Sequence, residues 1–331
     1  MRKTTILIIT DNLPDQINGV VTTYKNIEAY AARDDYNVVV LHPGWFSYIN
    51  CPFYNEVKLA YPRALGQKIA EIDPDHIHIA TEGPLGLWAR AHLSLDSGRR
   101  YNTAYHTKFP EGIKKILGIP ESITWRYVRW FHKHTGRVLT TTDTMVKDLQ
   151  DHGFTGDIVS WTRGVDRDIF RPSDSSRNGS LTLACVSRVS KEKNLEAFFE
   201  LDYPGARKIM VGDGPMRGEY QKKYPNVEFV GFKTGHELAE YYRMADVFVF
   251  PSKWETFGIV MIEAMACGTP VAAYPVAGPI DVVDEGITGC LDNDLKAAID
   301  KCLKLDRKDV IIGSQRWSWQ RAWEIFKENL I

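Results

Sequence analysis

Glu255 and Glu263 stand eight positions apart in WETFGIVMIEAMACGTPVAAYP, residues 254–275. The run between them is apolar after Thr256, and the stretch reads as a loop, a helix of small residues, a turn at Gly268-Thr269-Pro270 and a short strand, preceded by the strand FVFPS. A helix that begins near Gly258 turns its free N–H groups and positive dipole end toward an anion such as a diphosphate. Glu255 then lies just before that end and Glu263 about one and a half turns inside. Eight residues at the helical rise span up to about 12 Å, about the separation of sugar and ribose in a nucleotide sugar. Carboxylates accept hydrogen bonds from vicinal hydroxyls. The same spacing equally describes a helix with one solvated glutamate at each end of a buried face.

A second group of candidates is cationic. Arg188 and Lys193 stand five apart in SRVSKEKN, directly after the apolar strand LTLACV. Arginine and lysine in a strand-to-helix loop are natural ligands for a diphosphate, one as a fork and the other as a point charge, and they are also a common surface pair. VGDGP, residues 211–215, ends another strand in a glycine-rich turn. His106 sits where the strand YNTAY runs out into a loop, the edge of a parallel sheet at which ligands bind. Gly19, between the first strand and its helix, allows a close backbone approach or is simply a turn. His76 and His78 flank a strand residue and pack or face solvent.

The elements that must position these residues alternate between strand and helix. Thr4–Thr10 is an apolar strand of the buried parallel kind, VTTYKNIEAYAA a helix and YNVVVLHP a second strand. Helices over 64–72 and 85–95 and strands at DHIHIA, YNTAY and RVLTTTD continue the first half. RPSDSSRNGS, residues 171–180, is polar and turn-rich and reads as a domain linker. The second half restarts the alternation with LTLACV, KIMVGDGP, NVEFVGF and VFVFPS and closes on an amphipathic helix holding Trp317, Trp319, Trp323 and Phe326. Two α/β units with polar groups at their strand ends imply a ligand held in a cleft.

Composition bounds the rest. The 331 residues are enough for two domains, and 44% hydrophobic with 25% charged is a globular balance. A net charge of −1 asks for no polyanionic partner, so nucleic acid is disfavoured. MRKTTILIITDN has too short an apolar run for a signal peptide, and no run reaches the roughly 20 residues of a membrane span. The five cysteines form no CxxC pair; Cys185 and Cys267 fall in apolar segments as core thiols, and the pattern fits a reducing cytoplasm. Residues 108–137 are locally basic, with Lys108, Lys114, Lys115, Arg126, Arg129, Lys133 and Arg137 among Phe109, Ile113, Ile116, Leu117, Trp125, Trp130 and Phe131. That mixture marks a membrane-surface segment or an amphipathic helix with its aromatics turned inward, and a nucleic-acid backbone would want the same charges, so the patch does not choose between those partners. Asp292-Asn293-Asp294 spells a metal-binding Asp-x-Asp but reads as a helix cap, and no metal is expected. No G-x-G-x-x-G follows the first strand, which disfavours nicotinamide chemistry.

Taken in order, these motifs resemble the retaining glycosyltransferases of family 4, over nearly the whole chain. SRVSKEKN is similar to that family's G-R-x-x-x-x-K-G, with Ser187 and Asn194 in place of the glycines. VGDGP matches, and ETFGIVMIEAMACGTPV carries the family's two glutamates with seven residues between them. HIATEGPLGLWAR, AYHTKFPEG, WTRGVDRDIF and PVAGPIDVV resemble a branch of bacterial glycolipid synthases and α-mannosyltransferases.

The resemblance implies a fold of the GT-B class: α/β, two Rossmann-like domains facing across a cleft. An acceptor-binding domain would cover 1–172, joined by a C-terminal helix at 315–331, and a nucleotide-sugar domain would cover 173–314. It implies that Gly19 packs against the diphosphate, His106 contacts the donor sugar, and Arg188 and Lys193 neutralise the leaving diphosphate. Glu255 would hold sugar hydroxyls and Glu263 the ribose. Phe257 and Gly258 would offer amides to phosphate, Gly231 and Phe232 would flank the base, and Arg163 would face the cleft. The donor would be a UDP- or GDP-hexose and the reaction would need no cofactor. The acceptor would be a membrane lipid such as diacylglycerol, reached from the cytoplasmic face through 108–137. Alternatives are a soluble, polysaccharide or modified nucleic-acid acceptor, or a sugar-nucleotide-binding protein without catalysis.

Overall fold

The computed structural model describes residues 2–52, 54–95, 99–133, 135–173 and 179–331, with the side chains of 54–56 and 115–116 left aside. The chain forms two compact units, Met1–Arg163 with Trp319–Ile331, and Gly164–Ser318.

In the first unit the strands are β1 (Thr4–Ile9), β2 (Tyr36–Leu41), β3 (Tyr48–Cys51), β4 (Tyr54–Ala60), β5 (His76–Ile79), β6 (Asn102–Tyr105), β7 (Arg137–Thr140) and β8 (Asp157–Ser160). Six of them form a parallel sheet in the order β2-β1-β5-β6-β7-β8. The continuous apolar run of β1 follows from burial on both faces. Ile6 and Ile8 pack with Trp161, Trp323 and Phe326 on one side, and Leu7 and Ile9 with Leu85 and Phe131 on the other. Strands β5 to β8 are added on the opposite side of β1 from β2, so the connection reverses between β1 and β5. Such a reversal opens a crevice at the carboxyl ends of the strands. The antiparallel hairpin of β3 and β4 has no counterpart in the sequence reading.

The second unit contains β9 (Thr182–Val186), β10 (Arg207–Val211), β11 (Val227–Gly231), β12 (Val247–Phe250), β13 (Val271–Ala273) and β14 (Gly289–Leu291). They too are parallel, in the order β11-β10-β9-β12-β13-β14. Leu183 and Cys185 point into a cluster with Phe198, Phe199 and Met210, while Ile209 and Val211 point into one with Met261 and Ile262. Here the reversal falls between β9 and β12. Both units are thus Rossmann-like α/β sheets, as expected. β14 was missed because GCL is short and abuts a polar run.

Residues 164–172 pack with the second unit, not the first: Val165 and Phe170 lie in its core, as does Trp317. The chain returns to the first unit at Trp319, not at residue 315. The helix Trp319–Glu328 is held there by Trp323 Nε1 donating to Asp34 Oδ2 at 2.8 Å and by Trp161 Nε1 donating to the Ala322 carbonyl at 2.8 Å. The middle of the expected linker, 174–178, lies outside the described residues.

The basic segment is two helices, Phe109–Leu117 and Glu121–His132, separated by Gly118 and Pro120. Trp125 and Phe131 are buried, whereas Leu117, Ile123 and Trp130 are exposed. Trp125 stacks on His152 with centroids 3.7 Å apart. Lys115 and Ile116, which belong to the basic stretch, lie outside the described side chains. Among the described residues no helix is long and apolar enough to cross a membrane.

Candidate active site

In the second unit the candidate residues gather on the carboxyl edge of the sheet, around the reversal between β9 and β12. The loop leaving β9 carries Arg188 and Lys193, and the loop leaving β12 carries Glu255. Lys193 Nζ donates to Glu255 Oε2 at 2.9 Å, with side chains 23% and 21% exposed. Burial works against the Lys193 charge, but the Glu255 carboxylate overcomes it and holds the ammonium pKa above its ordinary value, with Arg188 opposing. The expected role gave each side chain to a ligand; in this state they hold each other in place.

The loop shape follows from local chemistry. Asn194 has a φ of 54°, the left-handed conformation for which the family motif has glycine. Asparagine tolerates that region better than most side chains, and Asn194 Nδ2 donates to the Pro251 carbonyl at 2.9 Å. The departure from the motif therefore preserves the turn and ties the two loops together. VGDGP lies under the same loop: Ser187 N donates to the Val211 carbonyl and Val189 N to the Asp213 carbonyl. A Cβ on Gly212, at φ 137°, would come within 1.9 Å of the Ser187 carbonyl oxygen. That glycine is needed for loop packing.

The helix after Glu255 is Ile259–Ala266, so the start expected near Gly258 is close. Gly258 is its cap residue, at φ 88°, and no side chain caps the helix. The first-turn amides are therefore not taken by a side-chain cap, the arrangement that suits an anion. A Cβ at Gly258 would meet Met261 Cε at 2.7 Å and Phe250 Cζ at 3.2 Å. Phe257 is buried against Trp317, which leaves only its backbone for a ligand. Inside the helix, Glu263 accepts from the Tyr242 hydroxyl at 2.8 Å. Burial raises the Glu263 carboxyl pKa from 4.5 to about 7, with the Tyr242 bond pulling the other way. The folded state thus favours the protonated acid. That contribution to stability is complete below the unfolded pKa and is lost as pH rises through about 7.

Gly231 ends β11, and its carbonyl accepts from Gly212 N at 2.9 Å. Phe232 beside it is 45% exposed, an open aromatic surface on the same edge. Asp294 caps the helix Leu295–Cys302 by accepting from Lys296 N, which accounts for the Asp-x-Asp spelling.

In the first unit, Gly19 is exposed at the start of the helix Gly19–Arg33, capped by Asn18. His106 does lie at the end of β6, but its ring is buried. Tyr24 Oη is 2.8 Å from His106 Nε2 and 2.7 Å from His78 Nε2, and Arg163 Nη2 is 2.9 Å from His106 Nδ1. Arg163 also donates to the carbonyls of Trp161 and Thr162 and is 3% exposed. Arg163 is thus a buried group in contact with His106 and not an open cation, with three of its N–H groups donating to Trp161, Thr162 and His106. Burial, with the Arg163 charge second, sets the His106 pKa well below the ordinary histidine value and that of His78 to about 3. Burial lowers Arg163 itself to about 10.

Sequence reasoning missed Tyr24, Tyr242 and Asp11. Asp11, at the first unit's reversal, accepts from Leu85 N at 2.6 Å and from the Thr81 hydroxyl at 2.6 Å. Burial raises it to about 6. A carboxylate directly after a buried strand, together with HIATEGP, was the available signal.

Glycosyl transferases group 1 matches residues 166–316, and Glycosyltransferase Family 4 matches residues 17–169. A sulfoquinovosyl transferase of Arabidopsis thaliana is 31% identical over 92% of this chain, which spans 64% of that protein, less than two thirds of its length. A GDP-mannose-dependent alpha-mannosyltransferase of Mycolicibacterium smegmatis is 31% identical over 82% of this chain and 75% of its own. An alpha-monoglucosyldiacylglycerol synthase of Streptococcus pneumoniae is 25% identical over 88% and 76%. Among solved structures, a sucrose-phosphate synthase of Thermosynechococcus elongatus superposes with a TM-score of 0.82 over 98% of both chains at 19% identity, a likeness of fold. With the two family models together covering residues 17–316 and a relative 31% identical over 82% of the chain, the chain belongs to the family 4 glycosyltransferases, its second unit carrying the group 1 domain.

Proposed function

We propose that this chain transfers a hexose from a UDP- or GDP-sugar to an acceptor hydroxyl with retention of configuration, and that the acceptor is a membrane lipid. The observation that carries the reading is the Lys193–Glu255 pair at the reversal of the second sheet, beside a helix start with no side-chain cap. When a donor enters, its diphosphate competes for Lys193 and meets Arg188 and the amides of Phe257 and Gly258. Positive charge is then in place where negative charge grows on the leaving group. Glu255, released from Lys193, accepts from sugar hydroxyls. Glu263 accepts from the ribose, and Phe232 flanks the base. The first unit holds the acceptor, with Gly19 and His106 toward the donor. No cofactor or metal is assigned a step. The sugar leaves through an oxocarbenium-like state and the departing phosphate helps deprotonate the acceptor on the same face. The first experiment is nucleotide release from a panel of UDP- and GDP-hexoses with and without diacylglycerol. Release that depends on the acceptor supports transfer, and no release from any donor defeats the reading.

Glu263 gives this reading a pH signature. Ribose hydroxyls bind the carboxylate, so donor binding must displace the proton that burial keeps on Glu263 at about pH 7. The ionised fraction rises from about a tenth at one unit below that value to about nine tenths at one unit above, so affinity for the nucleoside diphosphate rises roughly tenfold across that interval. Calorimetry in buffers of different ionisation enthalpy will show proton release on binding, and Glu263→Gln will abolish it. A flat affinity over the interval would remove Glu263 from the ribose.

The lipid acceptor is supported by the name of the Streptococcus relative and by Leu117, Ile123 and Trp130, exposed among the cations of 108–137. The protein then works peripherally on the cytoplasmic face of a membrane. Flotation with anionic vesicles should carry it upward in low salt and lose it as salt rises. Transfer without flotation would point to a soluble or polysaccharide acceptor.

A further inference from the structure

Arg163, His106, Tyr24 and His78 form one continuous buried row in the first unit. Its direction is fixed from one end. A guanidinium has donors only, so His106 Nδ1 must accept from Arg163. The neutral ring then carries its proton on Nε2 and donates to the Tyr24 oxygen. The single Tyr24 proton is left for His78 Nε2. His78 in turn holds its proton on Nδ1, a buried atom with no hydrogen-bond partner among the described residues. These partners come from the helix Gly19–Arg33, from β5 and from the segment after β8, with Trp161 packed against the ring at 5.7 Å between centroids. The groups that bear on the charge of His106 are Arg163 and His78, and Glu82 acts on Tyr24.

We infer that Arg163 and Tyr24 are positioning residues that hold His106 as an uncharged imidazole with its proton on Nε2, so that His106 takes part in the reaction without gaining or losing a proton. Its bearing on the reaction rests on the proposed placing of His106 near the donor sugar; the tautomer does not. The residue then contributes shape and a fixed dipole at the end of β6, not general acid or base chemistry. A lone histidine would titrate within the working range of pH. Here burial and a neighbouring cation both oppose the second proton.

The experiment uses the full chain with ring-nitrogen-labelled histidine and long-range proton–nitrogen spectra from about pH 5 to about pH 8. The His106 signals are assigned by their loss in His106→Gln. The expected spectrum is a neutral Nε2–H ring for His106 and a neutral Nδ1–H ring for His78, neither titrating. Arg163→Met removes the donor to Nδ1 while burial stays, so His106 should remain neutral but divide between its two tautomers, and kcat should fall with KM little changed. Tyr24→Phe leaves Arg163 donating to Nδ1, so His106 should stay an Nε2–H ring while His78, without its donor, mixes its two tautomers and the circular dichroism stays the same. A wild-type His106 that titrates, or that carries its proton on Nδ1, overturns the inference. Should Arg163→Met fail to fold, the wild-type spectrum alone decides. Absence of nucleotide release from every donor defeats the transferase reading and leaves this tautomer assignment standing.

Discussion

Lys193→Ala is expected to lower kcat/KM for the nucleotide sugar by roughly 100- to 1000-fold while the protein stays folded. The magnitude is that of removing one preorganised charge from a developing anion in a shielded site. The structure adds a reason for the effect to be at the upper end. Lys193 is fixed before the donor arrives, by Glu255 at 2.9 Å and by the turn that Asn194 makes. Little reorganisation is then needed during the reaction. The substitution also leaves the Glu255 carboxylate beside the incoming diphosphate without its counter-charge, so ground-state binding weakens too. Lys193→Arg should recover part of the rate, because it keeps the charge but not the point-like reach of an ammonium. Stopped-flow or coupled nucleotide release measures the rates, and far-ultraviolet circular dichroism checks the fold. Wild-type turnover in Lys193→Ala would separate this ion pair from the chemistry.

Trp323→Ala is expected to cost about 3–5 kcal/mol, the range for deleting a fully buried large aromatic side chain. Trp323 is 0% exposed, packs edge-on to Tyr36 with centroids 5.3 Å apart, and donates its indole N–H to Asp34. Losing it leaves a cavity in the cluster around Ile6, Ile8 and Trp161 and deprives Asp34 of one of its two donors, the other being Lys327. In a unit of this size that amounts to a fall in melting temperature of roughly 10 °C for the first unit. Scanning calorimetry with the two transitions resolved, or tryptophan fluorescence, will measure it. A melting point unchanged within about 2 °C would mean that the last helix contributes little to the first core.

The parts of the fold that could be read from the sequence are those specified within a few residues. The apolar runs of β1, β9 and β12, the helix after Gly258 and the strand-end position of His106 all follow from local pattern. What could not be read depends on strand order. Lys193 and Glu255 are 62 positions apart and meet only because β9 and β12 are neighbours. The burial of His106 is set by Tyr24, 82 positions away, and Arg163, 57 positions away. One tyrosine among fifteen carries no local mark of such a role. The unit boundaries moved for a related reason: Val165, Phe170 and Trp317 look like linker-adjacent apolar residues until the core that receives them is known. Asn194 shows the opposite case, a motif departure that backbone conformation explains at once.

The return of Trp319–Ile331 to the first unit has a consequence for biosynthesis. Of the two units, the one that emerges earlier is the one that must wait longer for its missing piece. Gly164–Ser318, contiguous in the chain, can close as soon as it has emerged. Until Trp319–Ile331 has emerged, Trp161 and Ile8 lack the Trp323 and Phe326 side chains that shelter them, so the nascent first unit presents a sticky surface for chaperones to guard.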